Sequence, residues 1–279
     1  MVDKKKDEVA VMGREQVPDF MRSDTGGLGT EGLSQNALSP PRLKLAQAIS
    51  PEIDIIPDLK AGEYFNSVTE AVYGSKVRII SCFMTESYLL FEPRVPGNNG
   101  GLIARANDGI HWDPPNGVFE VVIDKKGTKV TWKTADTVSK SGLAAWGSFD
   151  PSDKKSGPAA VHSLNSIILL PDQLDDGPMA MSFVRSGLKI GKKFAGNLKM
   201  SRAPSFGRIF ELTSLKVAGP SGDYYEPRVK AAGLVTSEDL YKESRAIYLM
   251  AKERGVEVNL DDSERTNEDH TSAGANDKY

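Results

Sequence analysis

The chain has 279 residues, 39% of them apolar and 26% charged, and its 35 basic and 38 acidic groups leave a formal net charge of -3. That composition supplies core material for one large domain or two small ones and excludes a collagen-like or wholly unstructured chain. One cysteine excludes an internal disulfide framework and thiolate zinc sites, no window approaches the roughly 18 apolar residues of a membrane span, and the charged start MVDKKKDEVAVMG has no secretion pattern. A cytoplasmic protein without membrane association is expected.

Residues 1–38 mix charges, glycines and polar groups with no sustained period, which predicts a flexible arm. Apolar groups then recur at Leu43, Leu45, Ala46 and Ile49 in SPPRLKLAQAISPEI, where the folded body, 39–255, is expected to begin. KVRIISCFM (76–84) and SYLLF (87–91) are β-rich runs separated only by Thr85 and Glu86, so they form either a hairpin or one long bent strand. Cys82 lies in the first of them and reads as a small buried hydrophobe.

Paired glycines, Asn-Asp-Gly and a double proline fill RVPGNNGGLIARANDGIHWDPPNG, which marks loops around Arg105 and leaves Trp112 exposed. VFEVVI, the turn DKKG and TKVTWKT then form the clearest hairpin in the chain, so residues 95–150 are expected to be an insertion. The apolar end of HSLNSIILL (162–170) predicts a buried strand.

From Gly177 to Phe210 the chain carries Arg185, Lys189, Lys192, Lys193, Lys199, Arg202 and Arg208 and no carboxylate. Phe183, Val184, Leu188, Ile190, Phe194, Leu198 and Phe206 are interleaved with them, so this is a folded basic surface and not a basic tail. MAMSFVR alternates as a strand; Ser186 is placed to cap a helix from Gly187 to about Met200, with Leu188, Gly191, Ala195 and Leu198 as its core stripe and Pro204 as its stop. Strands at 207–217 and 224–230 follow, and Thr236-Ser237-Glu238-Asp239 announces a helix to Arg254. Beyond it, 256–279 is expected to be an acidic disordered tail carrying Asp261, Asp262, Glu264, Glu268 and Asp269.

Catalytic readings find little purchase. GLKIGKK misses the phosphate-loop spacing by one residue and has Lys193 where a magnesium-binding Ser or Thr belongs; His111, His162 and His270 have no metal-ligand spacing; and no nucleophile elbow occurs. No enzyme activity, cofactor or metal is expected. A cationic, aromatic surface instead suits single-stranded nucleic acid, with lysines on phosphates and rings stacked on bases.

SPPRLKLAQAISPE, the strand-rich middle with its Gly-rich insertion, RSGLKIGKKFAGNL, FELTSLKVAGPSGDYYEP and the acidic terminus together resemble single-stranded DNA-binding proteins of tailed bacteriophages over residues 39–279. That resemblance implies a mainly β protein with a few helices: an OB-fold-like five-stranded barrel with a helix between its third and fourth strands, plus the hairpin insertion and a C-terminal helix. It implies coating of single-stranded DNA in replication, recombination or repair. Tyr88, Phe91, Arg105, Trp112 and Trp132 join the seven cations as candidate contacts, with Trp146 a further candidate stacker, and the tail would touch replication or recombination proteins. Self-association stays open. The alternative is a phage structural or assembly protein acting through protein contacts.

Overall fold

Leu43–Leu45 (β1), Tyr64–Asn66 (β2) and Val72–Gly74 (β3) form a small antiparallel sheet in that order, with the one-turn helix Glu52–Ile55 (α1) between the first two. The computed structural model describes residues 41–254 apart from 97, 99, 220 and 221. Leu43 and Ala46 of the first apolar cluster are buried, whereas Ile49 stands 66% exposed at the turn before α1.

Lys76–Phe91 (β4) is one strand and not a hairpin, because Thr85 and Glu86 continue its alternation instead of reversing it. A register shift between Ser81 and Phe83 puts a bulge at Cys82, and a bulge bends a strand. The bent strand can therefore serve different neighbours along its length. Leu102–Ala106 (β5) pairs with its far end. Val118–Val122 (β6) and Lys129–Lys133 (β7) make the hairpin predicted from DKKG, followed by the single turn Val138–Ser141 (α2).

Ala160–Leu169 (β8) and Met179–Val184 (β9) extend the sheet on one side of β4. The helix Leu188–Lys199 (α3) then leads to Arg208–Gly219 (β10) and Gly222–Leu234 (β11), which lie on the other side, and Glu238–Arg254 (α4) closes the described chain. The path is β11-β10-β4-β8-β9, with β5 attached to β4.

The expected five-stranded barrel does not close. Strands β9 and β11 are not paired with each other, so the sheet stays open, and the outer edge of β9 is bridged instead by Arg42 opposite Ala180. After β9 the backbone of Arg185 is left-handed, at φ 49, and the chain goes directly into a 3-10 turn and α3. The helix packs on β8 and β9 and reaches β11. Ser186 makes no capping bond to this helix, because the 3-10 turn Arg185–Gly187 precedes it. At α4 the cap lies one residue later than expected: Ser237 Oγ accepts from the Leu240 amide at 3.4 Å.

Alternation along the sheet sorts its apolar residues onto two faces. Val77, Ile79, Leu164, Ile168, Met181, Phe183, Phe210 and Leu212 meet Phe194 of α3 together with Leu43 and Tyr64 of the small sheet. On the other face Ile80, Cys82 and Leu169 meet Phe206 and Ile247 of α4. A separate cluster of Leu90, Ala104, Trp112, Val121, Trp132, Val138 and Leu143 holds β6, β7 and α2 against β5 and the far end of β4. No helix among the described residues is long and apolar enough to cross a membrane.

Candidate nucleic-acid interface

The sequence LKIGKKFAGNLK winds so that Gly191 and Phe194 face the sheet and Lys189, Lys192, Lys193 and Lys199 all face solvent. Phe194, and not Ala195, is the deepest side chain of the inward stripe. Its ring stands 5.9 Å from Phe183 and 4.9 Å, edge-on, from Phe210. Gly191 permits this approach, since a Cβ there would sit 2.6 Å from that of Phe183. Close docking on one side thus fixes four cations on the other. None of the four makes an ion pair among the described residues, and neither does Arg202, exposed in the following loop.

The other predicted cations divide. Arg185 is exposed at the start of the turn into α3. Arg208 is structural: its guanidinium donates to Asn197 O at 3.0 Å and Asn197 Oδ1 at 3.2 Å, and lies 4.8 Å from the Phe210 ring centre. It ties β10 to the last turn of α3. Arg105 is half-buried on β5, with Nε 3.7 Å from Asp113 Oδ2, and belongs to the insertion.

Two candidate stackers are core residues, as the strand-like run around Trp132 favours for that ring. Trp112 is 3% exposed and donates from Nε1 to Ser141 Oγ at 3.0 Å; Trp132 is 1% exposed and donates to Phe149 O at 3.2 Å. The prolines after Trp112 signalled a loop, but Val138 and Leu143 close over the indole. Phe91 is half-buried at the end of β4 opposite Leu102. Trp146 is 68% exposed in the insertion. The acidic tail residues lie outside the described residues, as does the N-terminal arm.

Tyr88 stands on β4 opposite His162, whose charge is influenced by Lys192 of α3. Its half-buried ring lies parallel to His162, 4.5 Å away and tilted by 10°, and its hydroxyl donates to Glu86 Oε1 at 3.1 Å. His162 Nε2 is 2.7 Å from the same oxygen, off the line of an N–H bond, so that contact is chiefly Coulombic. His162 had read as incidental. Strand register, which pairs it with Tyr88, is what gives it a place here.

Burial lowers the His162 pKa below its ordinary 6.5; Glu86 opposes this and Lys192 adds to it. The unfolded chain therefore takes up this proton before the folded one does. The histidine's contribution to stability should be complete above pH 6.5 and should shrink as pH falls below it, towards the folded value. His162→Gln should remove that part of the acid sensitivity in thermal melts between about pH 5 and 7. An unchanged pH profile would mean that the imidazole is not held neutral. Cys82 is buried, and that burial, aided by Glu243, pushes its thiol up to about 12, which leaves no thiolate for chemistry.

No similar chain was found among curated proteins or solved structures. A family model described as Pam3 phage gp34-like protein matches residues 6–257, and the chain belongs to that phage protein family.

Proposed function

We propose that this phage protein binds single-stranded DNA without sequence specificity, as a stoichiometric coat in replication, recombination or repair. The observation that carries the reading is the outward face of α3, where Lys189, Lys192, Lys193 and Lys199 stand without carboxylate partners among the described residues, beside the Tyr88–His162 ring pair. Unneutralised cations on one side of a rigid helix attract a polyanion, and phosphates that replace counterions there make binding salt-dependent. A half-buried ring next to them offers a base a flat partner.

The strand path supports the finer OB-fold reading. Strands β4, β8 and β9, then α3, then β10 and β11, with β4 between β8 and β10, follow the connectivity of that fold in a form open between β9 and β11. The acidic segment from Glu257 onward would compete for the same cations and offer a contact to basic replication or recombination proteins. A protein-contact role has one observation in its favour: Ile110, Val118 and Trp146 are all more than half exposed on the insertion.

Fluorescence anisotropy of a labelled single strand and its duplex, titrated with the full chain across a salt series, tests the reading. Tighter binding of the single strand is expected, with log K falling by roughly 0.7 per phosphate contact for each tenfold rise in salt. Equal affinity for both forms would reduce the interaction to nonspecific electrostatics. No binding even at low salt would leave the protein-contact role.

A further inference from the structure

On the β10 side of β4 the strand has a gap. Strand β10 leaves at Ile80 and β5 joins at Tyr88, and the turn Ser205–Gly207 packs against β4 beyond Ile80. Between these two pairings lie residues 81–87 of β4, partly covered by that turn.

A cleft of about 610 Å³ occupies this gap, bounded by β4, the last turn of α3, the loop from Ser201 to Ser205, and Tyr248 of α4. Its contents are mixed. Phe83 and Tyr248 are half-buried, with ring centres 6.1 Å apart. Thr85 lines the wall with its hydroxyl oxygen shielded from the cleft and without a hydrogen-bond partner among the described residues. Lys199 and Arg202 are exposed lining residues on the α3 side. Glu86, on the β4 wall, is engaged by Tyr88 and His162. Positive charge on one wall and a carboxylate on the other would orient an anionic ligand.

We propose that the cleft receives one nucleotide of the bound single strand, its base against Phe83 and Tyr248 and its phosphate on Lys199 and Arg202. This rests on the single-strand reading and deepens it, because Lys199 belongs both to the cleft and to the outward face of α3. The cleft is an open groove and not an enclosed cavity, with room for a group of nucleotide size.

The test uses the full chain and a single strand of about 15 nucleotides carrying iodouracil, irradiated and mapped by mass spectrometry. Adducts on Phe83 or Tyr248 are expected. Tyr248 also supports Phe206, 5.1 Å away, so its truncation would disturb α4. Ala203→Trp, which fills the cleft from a half-exposed lining position, avoids that disturbance. It should abolish these adducts and weaken the strand about tenfold without lowering the melting temperature. Adducts confined to other peptides, with Ala203→Trp binding like the wild type, would overturn the cleft assignment and leave single-strand binding intact. Failure of the wild type to retain the strand at low salt would overturn both.

Discussion

Replacing Lys189, Lys192, Lys193 and Lys199 together by glutamate should reduce the salt slope of single-strand binding by about three units, at roughly 0.7 for each lost phosphate contact. At physiological salt this should bring affinity below detection, since four attractions become four repulsions. The fold should tolerate the change. All four side chains are exposed and make no ion pair among the described residues, and surface substitutions of that kind usually stay within about 0.5 kcal/mol each. The helix dipole adds little, because Glu at 189 in the first turn is favourable and Glu at 199 in the last is unfavourable. Arg208→Ala provides the contrast: loss of its bonds to Asn197 should cost about 1 to 2 kcal/mol of stability and leave the salt slope nearly unchanged. Anisotropy titrations at four salt concentrations, with thermal melts, separate the two effects. A quadruple variant that keeps the wild-type slope and its fold would remove α3 from the interface.

The lysine face was legible because a helix repeats every 3.6 residues: Leu188, Gly191 and Leu198 marked the inside of α3 and so left the lysines outside. The β6–β7 hairpin was legible for a similar local reason, two alternating runs joined by a turn ending in Gly127. What failed depended on distant contacts. Trp112 sits beside two prolines yet is buried, because α2 and Leu143 supply a cover that its neighbours in sequence do not reveal. Tyr88 and His162 form a pair only through the β4–β8 register. The Thr85–Glu86 step looked like a break between strands, whereas the bend comes earlier, at the Cys82 bulge. Barrel closure also depended on distant partners: β9 and β11 are not paired with each other, and the edge of β9 bonds instead to the chain at Pro41 and Arg42, more than a hundred residues away in sequence.

Phe194→Ala should be the most damaging single change to the scaffold that carries the basic face. Phe194 is 2% exposed and touches both flanks of the sheet, Phe183 on β9 and Phe210 on β10, which are joined through β8 and β4 and not to each other. Its ring therefore links across the opening that strand pairing leaves. Truncation of a buried phenylalanine costs about 3 to 5 kcal/mol, a large share of the roughly 5 to 15 kcal/mol that holds a domain together. Collapse around the cavity is limited on one side, where Gly191 already lies against Phe183. In a chain of this size the melting temperature should fall by about 10 °C, whereas Phe194→Leu, which keeps much of the volume, should cost less than half as much. In the fraction that stays folded the lysines remain, so the salt slope of binding should hold while the melting temperature drops, the reverse of the outcome for the lysine reversals. A Phe194→Ala protein that melts with the wild type would mean that α3 is not anchored through this ring, and that the fixed geometry of its cationic face has another source.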